Sequence, residues 1–496
     1  MALIQAALYS LPSLYVIWTV YTWIYNTYFH PLARFPGPKL AAMSTMWKMW
    51  RYMIARDFIP RMVEVHSQYG NVVRVSPNEL HFSDPDVYNE LYNSHRRWPK
   101  YSLLYGPMTD GVSVWSILDY ASAKKRRETL LSHFSRKSIL ELQHLINILC
   151  AAISRQHAAG QSSDFTHAFK CFSLDTITSV CFATSTDAIN APDFKSPVLL
   201  AMHSAVGILQ TFIYFPVVRS IMGKIPPSML FKMTTLLDGY NEIRQILAKQ
   251  VRDILADPAI LTAVPHPTIY HSLISPASQD PTVSLSFADL VDDAYVLVFA
   301  GVDTSSAAIT TGVIHCIEDI RVYKALKQEL KEAWPDLSNV PRYETLEKLP
   351  YLTAVVKESL RLSHGVTSPL PRVVPEEGGI LGGHAIPGGT VVGMSCCFVH
   401  NNETVFEEAY KFKPERWLGG HGKDLEPYLV PFSKGTRSCV GMNLGYCEVY
   451  LCLANIFRRF EMQFDGVSAA DYKWVDLYVP VPVGPDIRIF ATPVSS

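Results

Sequence analysis

Toward its C-terminus the chain reads Pro431-Phe432-Ser433-Lys434-Gly435-Thr436-Arg437-Ser438-Cys439-Val440-Gly441, and a proline-free, helix-like run from Met442 to Arg459 follows. This is a cysteine on a tight loop that opens a helix. Gly435 and Gly441 permit backbone conformations and close approaches that a Cβ would block, so backbone N–H groups can turn toward the sulfur. The N-terminus of the next helix adds positive potential, which favours a thiolate over a thiol. Arg437 brings charge to the same loop and is available to a carboxylate.

Nine cysteines occur in 496 residues. The number is odd and no Cys-x-x-Cys is present. The other eight (150, 171, 181, 316, 396, 397, 447 and 452) sit mostly in apolar helical contexts, as reduced, buried thiols of a cytosolic compartment do. No zinc-like cluster of Cys and His exists. A single thiolate without companion ligands suits the axial position of a heme, whose porphyrin supplies the other four donors.

Two more stretches carry chemistry. Strongly helical Tyr351 to Val356 leads into Lys357-Glu358-Ser359-Leu360-Arg361, which places Glu358 and Arg361 at i and i+3 on one helix face, able to form a charge-assisted pair. Upstream, an apolar helix over Leu290 to Ile317 contains Ala300-Gly301-Val302-Asp303-Thr304-Ser305. Gly301 costs up to about 1 kcal/mol relative to Ala inside a helix, and a ligand pressing on the backbone supplies a reason for it. An acid followed by an alcohol in an apolar helix is costly to bury unless hydrogen-bonded.

The spacing Phe432-x-x-Gly435-x-Arg437-x-Cys439-x-Gly441 resembles the heme-binding signature of the cytochrome P-450 superfamily. Gly445 departs from the family's usual Ala, and Glu448 stands where its acidic residue is expected. The resemblance implies heme b with iron held by Cys439, and a buried scaffold of Glu358, Arg361 and Arg416, the last from Phe412-Lys413-Pro414-Glu415-Arg416-Trp417. It also implies a distal pair in which Thr304 hydrogen-bonds the bound oxygen and Asp303 relays protons. Arg372, Arg437 and Arg127 are the implied partners of the heme propionates, although Ala123 stands where the family has Trp or His four residues before Arg127.

The chain's N-terminal segment is of a different kind. From Met1 to Ala33 there is no Asp, Glu, Lys or Arg, and the first five charged residues after it, Arg34, Lys39, Lys48, Arg51 and Arg56, are all basic. Leu3 to Tyr25 would extend about 35 Å as a helix, enough for a bilayer core. Trp18, Tyr21, Trp23, Tyr25 and Tyr28 crowd its C-terminal half, and the basic collar predicts a cytosolic side for that end. The expectation is an uncleaved single-pass anchor over 1–33, with Phe35-Pro36-Gly37-Pro38 as a stiff bend before a catalytic domain over 34–496, in the endoplasmic reticulum membrane and facing the cytosol.

That domain reads as one large, mainly α unit with small β-sheets. Helical spacing dominates from Ala121 to Leu330, with breaks near Ala191-Pro192, Ile225-Pro226-Pro227 and Pro265 to Pro281. Strand-like pieces are Asn71 to Val75, Glu79 to Phe82, Arg372 to Val374, Thr390 to Met394 and Ile487 to Ala491. Lys plus Arg is 44 against 45 Asp plus Glu, which demotes a charge-driven nucleic-acid binder. The 48% hydrophobic share against 18% charged excludes a disordered chain.

No Gly-rich dinucleotide fingerprint follows a strand, so NADPH and flavin are not bound here. The resemblance implies electrons from a membrane-bound NADPH cytochrome P-450 reductase, docking against basic residues such as Lys124, Lys125, Arg126, Lys434, Arg458 and Arg459. The implied pocket segments, Tyr101 to Leu118, Leu209 to Phe215, Val296 to Thr304 and Gly365 to Leu370, are largely apolar and favour a lipophilic substrate. His30-Pro31-Leu32 and Pro414-Glu415-Arg416-Trp417-Leu418 resemble fungal secondary-metabolism members such as the trichodiene-oxygenase-like group, so a terpenoid or polyketide-derived scaffold is the expected substrate, hydroxylated or epoxidised with O2. A heme-thiolate isomerase or dehydratase is the rival enzyme, disfavoured by Asp303 and Thr304; a heme-bearing scaffold protein at the membrane is the rival of another class.

Overall fold

A computed structural model describes residues 2–106, 109, 112–131, 133–134, 140–222, 238–262, 264, 268–275 and 285–494. The expected break at Ile225-Pro226-Pro227 and both ends of the Pro265 to Pro281 stretch lie outside these residues. The first helix, α1, covers Ala2–Ile24 and runs on as a π-turn over Tyr25–Phe29. Its base is stitched to the body: Arg74 donates to the Asn26 carbonyl (2.7 Å), and the Asn26 amide donates to the Met43 carbonyl (3.0 Å).

The body is organised around one long helix. A capping box between Ser286 and Asp289 starts it, and the absence of proline lets it run from Phe287 to Glu318. Four helices matter for its placement: α2 (Tyr120–Leu131), α3 (Phe165–Phe182), α4 (Pro197–Tyr214) and then the long helix itself, α5. Along α3 every residue except His167 is buried, so this helix is wrapped on all sides, as a chain without a polar face must be. It lies directly against α5, which is flanked on its other sides by α6 (Pro350–Ser363) and α7 (Met442–Arg459). The expected helices at Leu290 to Ile317, Tyr351 to Arg361 and Met442 to Arg459 are all present.

Small sheets close the other side. Strands β1 (Val72–Ser76), β2 (Glu79–Phe82), β3 (Arg372–Val373) and β4 (Val391–Gly393) form one sheet in the order β1-β2-β4-β3. The β2–β4 pair is parallel, with Glu79 opposite Val391, and Arg372 is opposite Val392 across the antiparallel β3–β4 pair. The expected end strand is β6 (Arg488–Pro493); it pairs with β5 (Phe460–Phe464), which continues α7 without a break and was not expected. One apolar core gathers around α3, α5 and α7, and a second, including Phe58, Leu80, Tyr88 and Met394, lies beneath the β1–β4 sheet. The catalytic cavity described next draws its walls from both.

Candidate active site

The Cys439 loop is held by its own backbone. Gly435–Arg437 forms a 3₁₀ turn, Ser438 N–H donates to the Gly435 carbonyl (3.1 Å) and Cys439 N–H to the Phe432 carbonyl (2.8 Å). Gly435 has φ +70°, and a Cβ there would lie 2.6 Å from the Tyr92 and Asn93 carbonyl oxygens, so both conformation and space require glycine. Gly441 differs from expectation: its φ of −87° is ordinary, and a Cβ would stand 3.9 Å from Cys439 Sγ. Phe432 stacks near Tyr446 (5.0 Å between centroids), and its ring edge would be 3.1 Å from a methyl on Gly445. The ring fills the place of the missing alanine methyl.

Burial pushes the Cys439 thiol above its ordinary range, and the Gly441 N–H and the Arg127 charge offset this only in part. Metal coordination deprotonates such a thiol outright.

Cys439 opens into a cavity of about 300 Å³. The opposite wall is α5, contributing Val296, Ala300, Gly301, Asp303 and Thr304. Thr304 Oγ1 donates to the Ala300 carbonyl (2.8 Å) one turn back along the helix. Asp303 is buried and ion-paired to Lys170 of α3 at 2.9 Å. Burial raises its carboxyl, but Lys170 and His203 outweigh burial and hold it below the ordinary carboxylate range. Gly301 lines the cavity, and a Cβ there would meet Ile177 Cγ1 at 2.8 Å, so the close crossing of α3 over α5 is a second reason for glycine.

The remaining walls match the expected segments in part. Tyr105, Val114 and Trp115 come from 101–118, and Gly365, Val366, Ser368 and Leu370 from 365–370. From α4 the lining residues include Ala205 and Val206, and Phe215, at the end of the expected segment, faces outward. Leu477, Tyr478 and Val479 also line the cavity; no sequence signal marks them.

Four cations border this cavity: Lys100, Arg127, Arg372 and Arg437. None makes an ion pair with a carboxylate among the described residues. Lys100 donates to the Trp115 carbonyl (2.7 Å), Arg372 to the Tyr105 hydroxyl (3.1 Å), and Arg127 to the Ser438 carbonyl. Arg437 serves three carbonyls, those of Ile117, Leu118 and Asp119. Burial, and then the three arginines, press the Lys100 amine well below its ordinary value. Trp115 Nε1 is buried without an acceptor. Unpaired buried charge costs several kcal/mol per ion, so this cluster fits a dianionic group, and the two carboxylates of heme match it. Lys100 was not foreseen, and Trp115 was expected only as part of the pocket wall, not as a member of this rim.

Glu358 is the hub of the scaffold. Its carboxylate accepts from Arg361 Nε (3.0 Å) and a terminal Arg361 nitrogen (2.7 Å), Arg416 Nε (3.1 Å), Trp417 Nε1 (2.8 Å) and the Lys413 amide (2.9 Å). Arg361 further donates to the His400, Ala409 and Lys411 carbonyls. The expected Glu358, Arg361 and Arg416 are thus brought together, away from the cavity-facing groups apart from Leu360 beside them. Glu448 on α7 is buried, with one carboxyl oxygen unpartnered, and burial lifts its carboxyl to about 8 against a hydrogen bond from Ser305.

Of the expected docking cations, Arg126 is withdrawn: only 11% of its side chain is exposed, and it is ion-paired to the fully buried Asp293. Arg458 is spent on the Trp334 and Pro335 carbonyls. Lys124 remains exposed at the surface, 3.8 Å from Glu128.

A lone cysteine on a glycine-bounded loop, facing an acid–alcohol helix turn across a cavity rimmed by unpaired cations, defines a heme-thiolate protein. Residues 36–473 match the family described as Cytochrome P450, and the chain belongs to that family. It is 35% identical to the cytochrome P450 monooxygenase sdnE of Sordaria araneosa, with 96% of each chain covered. It is 32% identical to the cytochrome P450 monooxygenase macH of Penicillium terrestre over 92% of each chain, and 29% identical to flvC of Aspergillus flavus over 95% of this chain and 93% of that one. The protein is a cytochrome P450 monooxygenase whose cofactor is heme-thiolate iron.

Proposed function

We propose that the protein is a membrane-anchored monooxygenase that hydroxylates or epoxidises a lipophilic secondary-metabolite intermediate, terpenoid or polyketide-derived, with electrons passed from NADPH by a partner reductase. The observation that carries this reading is the shared cavity: Cys439 on one wall, Asp303 and Thr304 on the other, and four cations without acids at its rim. Heme, when bound there, supplies the iron on which oxygen is activated for insertion into the substrate.

The chain's own residues have distinct tasks in this reading. Cys439 is the iron ligand; Phe432, Gly435 and Gly441 shape its loop. Arg127, Arg372 and Arg437 hold the propionates. Glu358, Arg361 and Arg416 scaffold the heme pocket, and Gly301 lets α5 lie close to α3. Thr304 hydroxyl orients oxygen and water in the pocket, and Asp303 delivers protons to it. Ile177, Val206, Tyr295, Phe299 and Leu477 give the substrate an apolar enclosure, which suits a lipophilic scaffold with little polarity.

The division into an anchor over 1–33 and a catalytic domain over 34–496 belongs to the same reading, with the domain on the cytosolic side of the endoplasmic reticulum. Exposed Leu14, Val16, Ile17 and Trp18 on α1 support burial in lipid. Of the basic collar, Lys48 and Arg51 are tied to Glu79 and Asp57. Among the described residues two internal helices are apolar enough to cross a membrane, over 192–214 and 287–318; about half of the first and most of the second is buried in the body, as in core elements.

The test is reconstitution with a reductase in lipid vesicles. Substrate-dependent consumption of NADPH and O2, with one oxygen atom in the product, is the expected outcome. Deleting the gene in its native host and identifying the accumulated precursor names the substrate. Thr304→Ala should consume electrons and release peroxide in place of product; unchanged coupling would overturn the role given to Thr304.

A further inference from the structure

We propose that Lys170 and His203 form the solvent end of a proton path whose inner end is Asp303. This rests on the reading of Asp303 and Thr304 as the distal pair, and extends it to the surface through two residues from other helices.

The path is short and continuous. Asp303 Oδ1 accepts from Lys170 Nζ at 2.9 Å, and Lys170 Nζ donates to His203 Nε2 at 2.7 Å. Asp303 lines the cavity, whereas the His203 side chain is 29% exposed. Two hydrogen bonds therefore span the distance from pocket to solvent. Lys170 is the one cation on α3, a helix otherwise wrapped in apolar neighbours, and only 8% of its side chain is exposed. A buried ion pair rarely improves on a well-packed apolar pair, so stability alone gives no reason for a lysine there.

The surroundings suit the task. From α3, His167 stands with its ring 6.0 Å from that of His203, hydrogen-bonded to Asp164 (2.6 Å) and 3.9 Å from the half-exposed Asp486. His203 itself is 3.9 Å from Asp303, and Tyr472 faces Asp303 from the segment after Ala469–Asp471. Burial and the Lys170 charge hold the His203 imidazole down at about 4. It is neutral at physiological pH and accepts from Lys170 Nζ through Nε2.

Each monooxygenation consumes two protons and two electrons and releases one water. In the relay, one N–H proton of the Lys170 ammonium passes to the Asp303 carboxylate, which hands it on to the pocket. His203 takes a proton at Nε2 from a solvent hydronium, which leaves as water, and the imidazolium returns Nε2–H to the lysine amine. All groups end as they began, one proton has moved inward, and the electrons arrive separately from the reductase.

The test compares His203→Gln, Lys170→Met and Asp303→Asn in the full-length, heme-loaded protein. Gln keeps the acceptor for Lys170 but carries no proton. Expected in His203→Gln is an unchanged melting profile with peroxide replacing product, a larger solvent isotope effect, and product formation lowered by about 10²-fold, the lower range for loss of a positioned proton donor. Lys170→Met should do the same. A readout independent of turnover is histidine NMR: the His203 titration should move upward from about 4 when Lys170 becomes Met. If Asp303→Asn uncouples while His203→Gln and Lys170→Met stay coupled, the relay is wrong and the distal pair stands. If Asp303→Asn is also coupled, both fall. An unmoved His203 titration overturns the contact on which the path depends.

Discussion

Replacing Glu358 by Gln removes one charge from the hub that ties α6 to the 413–417 segment while keeping its shape. Arg361 is fully buried and Arg416 nearly so, with 0% and 8% of their side chains exposed. After the exchange both guanidinium groups lose their counter-charge, and an amide NH2 meets donors where an oxygen had accepted. Breaking a buried pair in this way costs about 3–5 kcal/mol. With a urea dependence of about 3 kcal/mol per molar or more for a chain of this size, the unfolding midpoint should fall by about 1 M. Midpoints are read from tryptophan fluorescence and from the Soret band in parallel. Lys357→Gln, one residue away, is the control: its pair with Glu426, 55% exposed, should be worth about 0–1 kcal/mol. A Glu358→Gln midpoint indistinguishable from that of Lys357→Gln would refute the hub as a source of stability.

Three other outcomes are expected. Cys439→Ala should lose heme, and the reduced, carbon-monoxide-treated protein should lack the thiolate-type Soret shift; a retained shift would remove Cys439 as ligand. Gly301→Ala should lower the urea midpoint, by about 1–3 kcal/mol in stability, because the new methyl meets Ile177 at 2.8 Å and overpacking outweighs the better helix propensity; a more stable variant would show the crossing to be compliant. Glu448 holds its proton up to about 8 when folded and to about 4.5 otherwise. Its stabilising contribution is complete below about 4.5 and is lost as pH rises toward 8, since the unfolded chain ionises first; Glu448→Gln should flatten the midpoint across that window, and an equally steep profile would assign the dependence elsewhere.

The helices and the cysteine loop were legible because their determinants are local. Proline-free apolar runs mark α5 and α7, and the glycine spacing around Cys439 needs only eleven consecutive residues. The Glu358 hub was half legible: the i, i+3 pair is local, whereas Trp417 and the Lys413 amide reach it from another segment. What depended on tertiary placement was missed. Lys100 and Trp115 look like any surface cation and any loop aromatic until Arg127, Arg372 and Arg437 converge beside them. Strand β5 escaped because no glycine or proline separates Arg459 from Phe460. Gly301 was noticed for the right reason, its cost in a helix, but the neighbour that requires it, Ile177, lies on a helix far away in sequence. Lys170 did carry a signal, a single lysine within Phe165–Phe182, which only the position of His203 makes intelligible.

The cation rim has a consequence for the life of the polypeptide before it meets its prosthetic group. Four like charges drawn together at this rim repel one another, and among the described residues none of them is neutralised by an ion pair with a carboxylate, Asp119 offsetting only part of the charge at Arg437. Whatever dianion settles there binds only the folded form and shifts the folding equilibrium by mass action. Newly made chains should therefore accumulate in proportion to heme supply, and in a heme-starved cell the same sequence would be removed by proteases while its messenger level stays unchanged.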